Sequence, residues 1–212
     1  MTETTSGRGY HHGDLRAALL AAARELLAEH GIAQFSVAAL AKRVGVSSAA
    51  PYRHFADRQT LLTAVAADAA DRLREQIEAA VADAGPDPVD RLATAAGVYT
   101  RLRIDEGIGL DVILQPGLDD PSYTDLHEHT RPLMDTLMAL TLDAVGPQEG
   151  YRRALVLLED VLALAHGYSA MQRDGAFSHH QYTSADLEAK SRAAAAVLAG
   201  AEPDPDRNPV HL

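Results

Sequence analysis

The chain has 212 residues, 47% of them hydrophobic but only 5% aromatic, with no Trp and no Cys. That length can bury a full hydrophobic core, and the missing cysteine excludes disulfides, thiolate zinc sites and a cysteine nucleophile. The net charge of −11 argues at first sight against a polyanionic partner.

The distribution of charge matters more than its sum. Residues 1–60 carry seven Lys and Arg (Arg8, Arg16, Arg24, Lys42, Arg43, Arg53 and Arg58) against five Asp and Glu, a surplus of two; the remainder carries a deficit of thirteen. The first sixty residues are therefore the one plausible footprint for nucleic acid. The opening "MTETTSGRGYHHGDLR" lacks the charged-then-apolar profile of a signal peptide. No uninterrupted apolar run approaches the roughly 18–20 residues of a membrane span. A soluble, cytoplasmic protein is expected.

In chain order, "DLRAALLAAARELLAEHG" sets Leu15, Leu19, Ala22, Leu26 and Leu27 at helical spacing, with Gly31 as the stop. Ser36 caps a short helix through Arg43, which Gly45 ends. Ser47 or Ser48 then caps a second short helix reaching Phe55, with Pro51 tolerated in its first turn. This is a helix-turn-helix pattern. Asp57 opens a long helix carrying Leu61, Val65, Leu73, Ile77 and Val81, which "GPDP" at 85–88 ends. The stretch "VDRLATAAGVYTRLRIDEG" follows, then a loop-like segment from Gln115 to Ser122. Helical stretches over Tyr123–Val145, Pro147–Asp174 and Ser184–Ala201 precede a polar, proline-rich tail. No segment alternates with a period of two. The fold class expected is all-α, with eight to ten helices. Its organisation is an arm over 1–13, a first domain over 14–60, a larger one over 61–202 and a disordered tail over 203–212.

Residues 47–58 suit a DNA-reading helix. Ser47, Ser48, Ala49 and Ala50 are small enough to let backbone approach a groove, and Tyr52, Arg53 and His54 supply donors. Val46 and Phe55 would pin the segment from below, with Leu40 and Val44. The same composition also suits an amphipathic helical corner with solvated basic groups.

Three stretches carry a resemblance: "AARELLAEHG", "FSVAALAKRVGVS" and "YRHFADRQTLL". Together, residues 14–62 resemble the N-terminal domain of TetR/AcrR transcriptional regulators. "GYHHGDLRAALL" and "AAPYRHF" resemble one branch whose C-terminal domain carries a Trp-His-Gly signature. Here "LALAHGYSAM" keeps His166 and Gly167 without the preceding aromatic. The resemblance implies a three-helix DNA-binding domain joined to a larger helical domain for ligand binding and dimerisation. It places Ser47 to Ala50 at the major groove with Arg53. Tyr52, His54, Ser36, Lys42 and Arg58 fall at phosphates, and Arg8, Tyr10, His11 and His12 form an arm. The implied partners are a two-fold DNA operator, an unknown small-molecule effector and a second copy of the chain through the C-terminal helices. The implied role is a repressor released by ligand; the alternative is a regulator controlled by protein contact.

Candidate effector contacts are polar, aromatic or sulfur-bearing groups on otherwise apolar helices: Tyr99, Arg103, Tyr123, His127, Arg131, Met134, Met138, His166 and Met171. A buried Arg103 or Arg131 would favour an anionic ligand. His127 and His129 point to different sides of a helix, and His179-His180 has no neighbouring acid, so no metal and no cofactor are expected. Nor is an enzyme: there is no Gly-x-Ser-x-Gly elbow, phosphate-cradling glycine loop or His-Glu-x-x-His.

Overall fold

Alanine and leucine at three- and four-residue spacing make helices, and local caps decide where each begins and ends. The computed structural model describes residues 15–107, 113, 124–147 and 150–200. Among them are seven α-helices: α1 (Leu15–His30), α2 (Val37–Val44), α3 (Arg58–Asp83), α4 (Pro88–Glu106), α5 (Thr124–Val145), α6 (Gly150–Arg173) and α7 (Ser184–Gly200). Short 3-10 turns lie at Ile32–Gln34 and Pro51–Arg53, and no strand occurs among the described residues. The arm at 1–13, the loop from Gln115 to Ser122 and the tail at 203–212 lie outside them.

The caps follow the residue types. Ser36 Oγ accepts the Ala39 amide at 3.2 Å and starts α2. Gly45 ends α2 in the left-handed region at φ 78°, where Val46 N–H returns to Ala41 O at 3.0 Å. Asp57 accepts the Thr60 amide at 2.7 Å and starts α3. At α7, Thr183 and Asp186 cap one another's amides, with Asp186 N–H donating to Thr183 Oγ1 at 3.1 Å and Thr183 N–H to Asp186 Oδ2 at 2.9 Å.

These caps bear on acid stability. The Thr60 amide, then its hydroxyl, holds the Asp57 carboxyl below its ordinary range. The Thr183 hydroxyl, then its amide, does the same for Asp186. A lowered folded pKa contributes stability that is present above the unfolded value, about 4 for Asp, and is lost as pH falls through the folded value. The melting temperature is therefore expected to hold down to about pH 4 and drop below it. Asp57→Asn, which keeps the cap but not the charge, is expected to shallow that drop in calorimetry. An acid limb identical to wild type would contradict this.

The helices enclose two hydrophobic cores. The first gathers Leu19, Leu26, Phe35, Leu40 and Phe55 with Leu61 to Ala67 of α3, and also takes Leu126 from α5. The second gathers Leu73, Ile77 and Val81 of α3 with apolar residues of α4 to α7. The five α3 positions picked out by spacing are all buried. α6 is by length and composition apolar enough to cross a membrane. That character went unnoticed among uninterrupted runs because Glu159 and Asp160 interrupt it. Its Ala154, Leu157, Leu158, Val161 and Ala165 pack instead into the second core.

Candidate nucleic-acid interface

Between Gly45 and Asp57 the chain does not form the Ser-capped helix expected from sequence. It runs as a turn followed by the 3-10 turn Pro51–Arg53, whose N-cap is Ala50, with no side-chain cap bond. The amides of Ala50, Arg53 and His54 reach back three residues, to Ser47 O, Ala50 O and Pro51 O. Pro51 explains the correction, because it has no N–H to give Ser47 O and its ring opposes an i→i−4 ladder at that point.

The turn is anchored from below and bare above. Pro51 and Phe55 are buried, and the Phe55 amide donates to Pro51 O at 3.0 Å. Ser47, Ser48, Ala49, Tyr52, Arg53 and His54 are exposed, Ala50 is half-buried, and Ser36 and Lys42 at the two ends of α2 are exposed. Tyr52 is 53% exposed, a large aromatic left in solvent. Its ring and hydroxyl thus stand beside a patch of small side chains, an arrangement that admits a duplex backbone.

The basic residues divide into two kinds. Lys42 and Arg53 are open to solvent, whereas Arg43 is engaged, its guanidinium meeting Glu29 at 2.6 and 3.0 Å and Glu25 at 3.4 Å. That contact holds Glu29 below, and Arg43 above, its ordinary pKa. Arg58 is turned inward: Nη2 donates to Ile32 O at 2.9 Å and Nε to Phe35 O at 3.3 Å, and the guanidinium lies 5.8 Å from the Phe35 ring centre.

Of the candidate effector contacts, the structure brings three together. Tyr99 Oη lies 2.8 Å from His166 Nδ1, and one α-helical turn along α4 the buried Arg103 donates to Ser169 Oγ at 3.3 Å. Among the described residues, five others lie apart from them. His127, Arg131 and Met134 face solvent on α5, with Arg131 Nε 3.9 Å from Asp135 Oδ2, and Met171 is exposed on α6. Met138 packs at the margin of the second core. On α5 the buried side chains are Leu126, Leu133, Leu137 and Leu140, which leaves His127, Arg131 and Met134 outward and Met138 at the core edge. Tyr123 lies outside the described residues. No three His, Asp or Glu side chains converge among the described residues; His129 Nδ1 instead meets Asp71 Oδ2 at 2.6 Å.

Besides Leu126 in the first core, further contacts join these regions. A cleft of about 510 Å³ runs behind the turn, bordered by Arg16, Phe55, Thr63, Asp68, Asp71 and His129. At the end of α4, Gly107 (φ 66°) lies against Ala28 of α1, so close that a β-carbon there would fall 2.6 Å from Ala28 Cα. Arg173 of α6 donates to Ala28 O at 3.1 Å beside it.

Residues 19–65 match the profile of "Bacterial regulatory proteins, tetR family". The match identifies residues 19–65 as a helix-turn-helix domain of the tetR family. The matched segment holds α2, the exposed turn with Pro51 and Phe55 beneath it, and the first eight residues of α3. Similar folds extend over nearly the whole chain. A protein of unknown function from Rhodococcus sp. RHA1 is 29% identical with a TM-score of 0.66, over 90% of this chain and 98% of that one. A transcriptional regulator from the same strain is 25% identical with a TM-score of 0.61, over 86% and 94%. The regulator FadR from Bacillus subtilis, in complex with stearoyl-CoA, is 17% identical with a TM-score of 0.61, over 87% and 97%. No curated protein matches the chain.

The sequence reading missed two features, one in the tetR-family domain and one in the larger lobe. The Arg43 pairing was traceable, since Glu25 and Glu29 stand one turn apart on α1 and present a single acidic edge. Ser169 as the partner of Arg103 was not, because a serine inside an apolar helix carries no distinguishing signal.

Proposed function

We propose that this tetR-family regulator is a cytoplasmic repressor that binds a two-fold DNA site as a homodimer and is released by a small molecule. The observation that carries this reading is the exposed turn at Ser47 to Arg53, flat and small in the middle, with Tyr52 and Arg53 at its edge and Phe55 beneath. Ser47, Ser48 and the methyls of Ala49 and Ala50 meet the major groove with Arg53, while Tyr52, His54, Ser36 and Lys42 meet phosphates. Dimerisation is supported by α6 and α7. Only 33% of the most apolar window of α6 is buried within the chain, and Tyr151, Leu155, Met171 and, on α7, Val197 lie exposed. Two such helices from each of two copies make a four-helix contact on a two-fold axis.

Tyr99, Arg103, His166 and Ser169 supply the polar contacts of the effector site. A protein of this fold is in complex with stearoyl-CoA, so the fold accommodates a small-molecule ligand. A ligand that favours one spacing of the two DNA-binding domains shifts the population away from the DNA-competent dimer. The first test is binding of the wild-type protein to the DNA flanking its own gene, with its mass in solution measured on the same sample. Tight, salt-sensitive binding of a dimer, reduced about tenfold by Tyr52→Ala, is expected. A monomer, or no duplex recovered even from random-sequence DNA, would reject the reading. Repression is tested with a reporter, whose output is expected to rise when the protein is removed.

A further inference from the structure

In the first domain Arg58 faces the wrong way for a phosphate contact. Arg58 is the first residue of α3, next to the Asp57 cap, and follows directly on the exposed turn. Its side chain is half-buried, and two of its nitrogens donate to carbonyls of the α1–α2 connection, Ile32 O at 2.9 Å and Phe35 O at 3.3 Å. Within the connection itself, the Phe35 amide turns back to Ile32 O at 3.3 Å. The guanidinium also lies over the Phe35 ring, a buried member of the first core. A planar group with five fixed donors suits this double acceptance in a way an ammonium does not.

We infer that Arg58 is a positioning residue for DNA recognition. It locks the start of α3 to the segment that leads into the Ser36 cap of α2. The two ends of the DNA-facing unit, α2 on one side and the turn at 46–55 on the other, are thereby held at one fixed separation. Charge-assisted bonds to backbone are stronger than neutral ones, and the half-buried setting shields these from water. Lys42 and Arg53, open to solvent, do the electrostatic work; Arg58 sets the shape they act on. This rests on the DNA-binding function proposed above.

The test compares Arg58→Met, Arg58→Lys and Lys42→Ala with wild type, all well below their melting temperatures. The probes are a duplex selected by the wild-type protein from random DNA and an unrelated duplex of equal length, at several salt concentrations. Arg58→Met is expected to weaken the selected duplex by about tenfold or more and the unrelated one little. Its salt slope should stay at the wild-type value, with Arg58→Lys recovering part of the loss. Lys42→Ala should weaken both duplexes and reduce the slope by about 0.9. If Arg58→Met instead weakens both duplexes equally and lowers the slope by about 0.9, the residue is a phosphate anchor and the inference fails. A general loss of stability would lower the melting temperature without separating the two duplexes, and would also overturn it. Amide exchange gives an answer that needs no DNA: Val46 to Phe55 should exchange faster in Arg58→Met while α6 does not. Wild-type protein that binds no DNA rejects the proposed function, whereas unchanged exchange rejects the role of Arg58.

Discussion

Replacing Phe55 with alanine is expected to destabilise the protein by about 3–5 kcal/mol and to abolish specific DNA binding. Phe55 is 3% exposed, and its ring fills the first core beneath the turn. The Arg16 guanidinium lies 5.5 Å from the centre of that ring. Removing the ring leaves a cavity that α1 and α3 cannot close without moving, because Leu19, Leu20, Leu61 and Leu62 already pack against other members of the same core. The turn loses its support at the same moment. Denaturant unfolding measures the first effect and duplex binding the second. Tyr52→Ala, at an exposed position three residues away, is the control: it should change stability by less than about 0.5 kcal/mol while still weakening DNA binding. A Phe55→Ala protein as stable as wild type would mean that the turn is not held from below.

Gly107→Ala is expected to cost about 2–4 kcal/mol, combining left-handed backbone strain with overpacking. The φ of 66° alone disfavours any side chain, and the added β-carbon would lie 2.5 Å from Ala28 Cβ and 2.6 Å from Ala28 Cα. The second contact is with backbone, so no rotamer relieves it. For a chain of this size each kcal/mol lowers the melting temperature by roughly 2–4 °C. Because α1 must shift to accept the change, DNA affinity should alter as well. Ala28→Gly removes one of the two clashes and is expected to restore part of the loss in the double variant, a coupling that a cycle of four proteins quantifies. Purely additive effects would place the strain elsewhere.

What could be read from the sequence was whatever is decided within a few residues. Ser36 and Gly45 bounded α2 correctly because a cap involves neighbours three to five positions away. The burial of Leu61, Val65, Leu73, Ile77 and Val81 followed from spacing alone. Pro51 shows the limit of that approach. It was rightly placed at the start of a helical turn, but the balance between a capped α-helix and a 3-10 turn depended on which carbonyls remained without an amide. The lobe was harder still. His127, Arg131 and Met134 share α5 with buried leucines, and nothing local says which side of that helix docks on α3. Tyr99 and His166 meet across 67 positions, a pairing that only the packed helices create.

One helix serves both cores, and this settles how the molecule is divided. Leu61, Leu62, Val65 and Ala66 lie in the first core, each at most 1% exposed, while Ala69 onwards lies in the second. A fragment ending at residue 60 would carry the whole exposed turn and lack the inner wall against which it is built. The molecule therefore has no clean seam. Grafting its reading head onto a foreign lobe requires that α3 be carried across at least to Ala67, and that something replace Leu126, which α5 lends to the first core. Modularity here follows the packing of one continuous helix, not the order of motifs along the chain.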